Sequence, residues 1–169
     1  FFLVIVATSH SVNVTDGLDG LAGSVLLTSF TAFGAIAFVQ GKTDLAALCA
    51  VIAGALLAFL WFNIHHAQFF MGDTGAMSLG VTLGIIAMLT NAALLLPVVG
   101  SVFVVESLSV IAQVGSKKIR GKKWLLSAPL HHHLEAKGWT EPQIVMRFWM
   151  IGGVSAMIGV IIALVDQLI

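Results

Sequence analysis

Residues 21–39 read LAGSVLLTSFTAFGAIAFV, an apolar run without a charged side chain. A helix rises about 1.5 Å per residue, so this run reaches about 28 Å, close to the hydrocarbon thickness of a bilayer. Further apolar runs follow it: Leu45 to Phe62, Ala76 to Leu89, Ala92 to Val114 and Ile144 to Leu164. Over such lengths only helices satisfy the backbone inside lipid. Composition agrees, with 59% of residues hydrophobic, 9% charged and a mean hydropathy of +1.03, far above that of a soluble domain. The expected fold is all-α: a polytopic transmembrane helix bundle embedded in the lipid bilayer as one domain over residues 1–169, with about five full spans plus a truncated first helix. The opening FFLVIVATSH is apolar for only about eight residues where a crossing needs about 20, and so reads as the latter part of a spanning helix.

Each crossing moves the chain to the opposite face, which sorts the loops into two sets. Loops 9–20, 63–75 and 115–143 share one side, and 40–44 and 90–91 the other. Of the eight Lys and Arg residues, Lys117, Lys118, Arg120, Lys122, Lys123, Lys137 and Arg147 lie in or beside loop 115–143, leaving Lys42 opposite. The positive-inside rule makes the first set cytoplasmic. Trp61, Trp124, Trp139 and Trp149 fall near the same face, as interfacial aromatics do. Net charge is zero, so no overall basic field points to nucleic acid, and the single Cys49 excludes a disulfide framework.

All six histidines fall on that same side, together with Asp16, Asp19 and Asp73. In NVTDGLDGLAG (residues 13–23), Thr15 or Asp16 can cap the helix that follows, which would put Asp16 and Asp19 on one face at i, i+3. One acid there is ordinary capping; two, with Asn13 and two glycines, also make an oxygen site for Mg²⁺ beside a phosphate. In FNIHHAQFFMGDTG (residues 62–75), Asn63, Phe70, Gly72 and Asp73 sit in a loop entering the next helix. Asp73 can cap that helix or bind a cation, and Phe70 can pack at the membrane interface or stack on a ligand. PLHHHLE (residues 129–135) sets His131, His132 and His133 side by side. Neighbouring side chains point apart, so the run does not suit a single-ion cage; it reads as a solvated cluster or as donors for an anionic substrate. Inside the membrane, Glu106, Ser109 and Gln113 draw a polar stripe along one helix face. There Glu106 is expected to make structural hydrogen bonds and Gln113, at the loop end, to reach a ligand.

These segments, in this order and on one face, resemble the bacterial phospho-N-acetylmuramoyl-pentapeptide transferase family. The likeness rests on NVTDGLDGLAG, FNIHHAQFFMGDTG, FVVESLSVIAQV and APLHHHLEAKGWTEPQIVMRFW, and covers nearly all of the chain as roughly the C-terminal half of that family. It implies transfer of phospho-N-acetylmuramoyl-pentapeptide from UDP-MurNAc-pentapeptide to undecaprenyl phosphate with release of UMP, at the cytoplasmic face of the bacterial inner membrane. It also implies Mg²⁺ as cofactor, held by Asp73. Asn13, Asp16, Asp19, Asn63, Phe70, Gly72 and Gln113 would line the nucleotide pocket, with Asp16 or Asp19 also catalytic. His131 and His132 would face the phosphates and His133 would mainly shape its loop. A homodimer is expected by the same analogy.

The chain departs from the family's pattern at His10 and Ser11, where Asn-Ala is usual, at His66, where Pro is usual, and at Ala76, where Ser is usual. The paired aspartates and lysine of an earlier family segment have no counterpart here, so the 169 residues alone are expected to be inactive. A sister transferase moving GlcNAc-1-phosphate shares the acidic segments but differs in the histidine loop. A metal or proton transporter would place several polar groups at mid-membrane, where Glu106 stands nearly alone.

Overall fold

The computed structural model describes residues 1–168, and their backbone is helical along the long apolar runs, with a break at Gly100 inside the run Ala92 to Val114. Helix α1 spans Phe2–Thr15, α2 Leu21–Val39, α3 Thr43–Asn63 and α4 Gly72–Leu89; a 3₁₀ turn, Ala93–Leu95, leads into the short α5, Leu96–Val99. Then follow α6, Ser101–Arg120, α7, Leu130–Ala136, and α8, Glu141–Leu168. Among the described residues there are four helices long and apolar enough to cross a membrane, or five if the bent α5–α6 pair counts as one.

The most buried of the long apolar helices sits in the middle. α2 buries Leu21, Val25, Leu26, Phe30, Phe33 and Ile36 almost completely and packs against α3 on one side and α8 on the other. The outer helices leave Leu57, Ile151, Val154 and Met157 exposed, the surface that lipid would cover. α1 lies against α4 and α6. The α1–α4 approach is close because Gly80 and Gly84 carry no side chain: a Cβ on Gly80 would stand 2.7 Å from the Ser9 Cα, and one on Gly84 2.6 Å from the Thr8 Oγ1. Small residues one turn apart let membrane helices meet backbone to backbone.

Loop 40–44 shortens by two residues because α3 begins at Thr43, and four boundaries differ by more from those the sequence suggests. Loop 9–20 shrinks to the turn at 16–20, because α1 runs on to Thr15. Polar residues there do not end the helix: the Thr15 hydroxyl donates to the Ser11 carbonyl at 2.8 Å, and the Ser11 and Ser107 hydroxyls share a 2.8 Å bond that ties α1 to α6. Asp16 therefore follows the end of α1 and does not cap α2, whose first turn is preceded by Gly20 in the left-handed region. Loop 63–75 ends early, at Gly72. Loop 115–143 holds the last turn of α6, the histidine helix α7 and the start of α8, because an apolar run marks what lipid covers and not where a helix stops. Finally, the run Ala92 to Val114 is not one straight span: α5 and α6 meet at 82° across Gly100. An apolar cavity of about 270 Å³ lies beside this elbow, lined by Val4, Leu83, Leu96, Pro97 and Phe103 among others.

The sorting of loops into two ends holds. Asn13 bonds Asp73, Ala67 bonds Asp19 and Leu130 bonds Glu106, so the turn at 16–20, the α3–α4 loop and the start of α7 meet at one end. At the other, Gln40 donates to the Thr90 carbonyl at 2.9 Å and Lys42 to the Leu89 carbonyl at 2.8 Å. Gly80→Ala is expected to lower stability by about 1–3 kcal/mol, because the added methyl meets backbone that must move. Gly115→Ala, whose methyl would meet nothing within 4 Å, is the control and should be neutral or stabilising in a thermal melt of the detergent-solubilised protein.

Candidate functional site

The polar end is assembled from side chains that α1, α4, α6 and α7 present at their loop-facing termini. Asn13, on the last turn of α1, donates from Nδ2 to Asp73 Oδ1 on the first turn of α4 at 2.9 Å. Asp16 stands next to this pair. Burial, and after it the charge of Asp73, raises the Asp16 carboxyl above its ordinary value of 3.8. Two carboxylates close enough to feel each other's charge, one partly buried and one exposed, with an amide holding the second, form a hard-oxygen donor set of the kind that suits Mg²⁺. The sequence separates Asn13 and Asp73 by most of two helices; the glycine-mediated contact of α1 with α4 brings them together.

Asn63 and Gln113 turn inward. Asn63 is buried at the end of α3, accepts the Gly20 N–H at 3.0 Å and donates to the Phe69 carbonyl at 2.8 Å. It thus ties the turn before α2 to the loop before α4. Gln113 accepts the N–H groups of Trp124 and Leu125, at 3.1 and 2.9 Å, and donates back to the Leu125 carbonyl at 2.9 Å. Its amide is spent on the loop after α6. Gly72 has nothing close to it, and its φ of +66° is what calls for glycine at the entrance to α4. Phe69 packs edge-on to Phe59 with ring centroids 5.4 Å apart, whereas the Phe70 ring is 72% exposed and has a face free for stacking.

The three histidines of α7 have three different surroundings. His131 is buried, with Nδ1 3.1 Å from Glu106 Oε2 and Nε2 against Gly17, where a Cβ would come within 2.4 Å. Its ring faces the turn that carries Asp16 and Asp19, not the open mouth. His132 is exposed and pairs through Nδ1 with Glu135 at 2.6 Å. His133 accepts the Leu126 N–H on Nδ1 at 3.1 Å, a bond from α7 back to the loop before it. Glu106, fully buried on α6, accepts the N–H groups of Leu130 and His131 at 2.8 and 3.2 Å. It is the group that seats the first turn of α7.

Asp19 accepts the Ala67 N–H on Oδ2 at 3.0 Å, and its own N–H donates to Glu141. Glu141, the first residue of α8, and His65, in the α3–α4 loop, lie beside it. Sequence reasoning passed over both; the only signal for Glu141 was an acid opening an apolar helix. Arg147 stacks over Trp139, 4.1 Å from the ring centroid, and braces the α7–α8 junction.

Such a bundle, with acids and imidazoles gathered at one end of apolar helices, defines a multi-pass membrane protein with a polar site at its loop end. Residues 1–91 match the model of glycosyl transferase family 4, and the chain belongs to that family. It is 46% identical over 171 aligned residues to a protein of Leptospira biflexa serovar Patoc named phospho-N-acetylmuramoyl-pentapeptide-transferase, an alignment that covers 92% of this chain and 46% of that protein. Proteins of the same name from Chloroflexus aggregans and Geobacillus thermodenitrificans are each 48% identical, over 96% and 94% of the chain and 47% and 49% of their own lengths. The chain thus spans about half the length of the relatives it matches.

A raised carboxyl holds its proton more tightly in the folded chain than in the unfolded one. The stability it lends is therefore complete below 3.8 and falls as pH climbs through the raised value. With a chelator present, Asp16→Asn should melt higher than the unaltered protein at pH 7, and the difference should close as pH is lowered toward 3.8. Glu106→Ala should cost about 1–3 kcal/mol, because it leaves two buried N–H groups without an acceptor. Glu106→Gln should cost less, and amide exchange at Leu130 and His131 should report both.

Proposed function

We propose that this chain carries the nucleotide- and phosphate-handling part of a transferase that moves phospho-N-acetylmuramoyl-pentapeptide from UDP to undecaprenyl phosphate, releasing UMP on the cytoplasmic side of the bacterial inner membrane. The observation that carries this reading is the Asp16–Asp73 carboxylate pair, with Asn13 fixing Asp73, at the loop end of a chain nearly half identical to relatives of that name.

Asp73 and Asp16 would hold Mg²⁺. When bound, the ion neutralises charge on the pyrophosphate, which is most of what phosphoryl transfer asks of a protein. The chain's own residues do the rest. Asn13 keeps Asp73 turned toward Asp16. Phe70 offers an aromatic face for the uracil ring, and Gly72 and the Asn63 bonds set the position of that ring relative to Asp73. His132, exposed on α7, can donate to a phosphate oxygen. His131 acts from behind, holding the turn of Asp16 and Asp19 against Glu106. Gln113 and His133 fix the loop that carries α7 to the mouth. The acceptor phosphate is already ionised near neutral pH, so the reaction needs no strong base. An oxygen of that phosphate displaces UMP from the sugar-bearing phosphorus, either directly or after Asp16 or Asp19 has taken the phosphoryl group.

The test is the full-length protein in lipid nanodiscs with UDP-MurNAc-pentapeptide, undecaprenyl phosphate and Mg²⁺, followed by UMP release. Asp73→Asn is expected to lose at least 100-fold in turnover, in line with a charge-stabilising group removed from a phosphoryl-transfer site. The 169 residues alone should give no UMP. Turnover retained in Asp73→Asn would overturn the assignment of that residue, and preference for UDP-GlcNAc would transfer the reading to the sister reaction.

A further inference from the structure

Asp19, His65 and Glu141 come from three separate elements: the turn before α2, the loop between α3 and α4, and the first residue of α8. One ligand atom from each lies within 4.8 Å of the other two. His65 Nδ1 is 3.3 Å from Asp19 Oδ2 and 3.4 Å from Glu141 Oε2. These separations are too long for charge-assisted hydrogen bonds, which close to about 2.7–2.9 Å. They do match the edge of a ligand tetrahedron: for metal–ligand bonds of about 2.0–2.1 Å, neighbouring donor atoms stand about 3.3–3.4 Å apart.

The environment favours an ion as well. The side chains are 15%, 31% and 25% exposed for Asp19, His65 and Glu141, so two carboxylates face each other largely out of water with one imidazole between them. Their other contacts orient them: Ala67 donates to Asp19 Oδ2, and the Asp19 N–H donates to Glu141 Oε1, leaving Glu141 Oε2 turned toward His65. Backbone partners of this kind aim the ligands of a metal centre. A mostly apolar cavity of about 200 Å³, bordered by Asp19 and His65 together with Leu60, Ile64, Val145 and Trp149, opens beside two of the three and leaves space next to the cluster.

We propose that Asp19, His65 and Glu141 form a divalent-cation centre separate from the Asp16–Asp73 pair, selective for Zn²⁺ over Mg²⁺, that clamps the α3–α4 loop to the starts of α2 and α8. Selectivity follows from the nitrogen donor, since Mg²⁺ takes hard oxygens and keeps its waters while Zn²⁺ binds imidazole readily. Two carboxylates and a neutral imidazole also balance the charge of the ion. The clamp acts on the loop that leads to Phe70, Gly72 and Asp73, so occupancy would set how firmly that end of the site is held.

The experiment uses full-length protein in nanodiscs, stripped with a chelator and titrated with Zn²⁺ against a chromogenic competitor, with thermal melting in parallel. The unaltered protein and Asp73→Asn should each bind Zn²⁺ at this centre and melt higher with it, since a ligand that binds only the folded state stabilises it. His65→Ala and Glu141→Gln should bind at least tenfold more weakly and lose the rise in melting temperature, while matching the unaltered protein's melting temperature without metal to within a few degrees. Zn²⁺ binding that survives in the His65→Ala, Glu141→Gln double variant would overturn the proposal, as would absence of Zn²⁺ binding by the unaltered protein. UMP release in Asp73→Asn is read separately, so failure of the Zn²⁺ centre is told apart from failure of the Mg²⁺ reading on which the transferase proposal rests.

Discussion

In hydrocarbon a peptide group has no water to bond, so every N–H and C=O must find its partner within the protein. The helices meet that demand along their length and fail it at their ends, so irregular backbone collects where the chain turns. Here the longer turns share one end, and the side chains that complete them are the ones that sequence alone makes conspicuous. Asn63 closes the loop before α4, Gln113 the loop after α6, His133 the segment before α7 and Glu106 the first turn of α7. The polar end is therefore held by side chain to backbone bonds before it holds anything else.

That arrangement separates residues that support from residues that present. Asn63, Gln113, Glu106 and His131 are buried, and all but His131 spend their side chains on backbone partners. Asp73, Phe70 and His132 are exposed. Asp16 lies between, and its carboxyl is raised from the usual range first by burial and then by the charge of Asp73. A structure stabilised throughout would not keep two acids in that relation; sites that bind charge commonly do.

Much of this was legible in the sequence because hydropathy and charge report on the lipid boundary directly. α2 begins and ends at Leu21 and Val39 as its apolar run does, and alternation of spans was enough to bring Asn13, Asp16 and Asp73 to one end. Other features were hidden for physical reasons. Hydropathy carries no direction, so the turn at Gly100 lay concealed within a continuous apolar run. Polar residues read as loop between Ser9 and Thr15, yet hydroxyls that bond back to their own helix leave it intact. Which histidine of a run is buried depends on what packs above it, and Gly17 and Glu106 lie far from His131 in sequence. The same distance concealed the meeting of His65 with Glu141.

The bend at Gly100 also changes how the protein fits its bilayer. α6 turns basic at Lys117, so the part before its lysines, from Ser101 to Ser116 and including the buried Glu106 and Gln113, is roughly 24 Å long against the ~30 Å of an average hydrocarbon core. With α5 lying across the axis of α6 instead of extending it, the shortfall has to be met by thinner bilayer, by snorkelling of the lysines or by neighbouring helices. Hydrophobic mismatch at one helix would then gather deformable lipid on the flank next to the elbow cavity, so the thickness of the surrounding membrane becomes a variable to which this part of the fold responds.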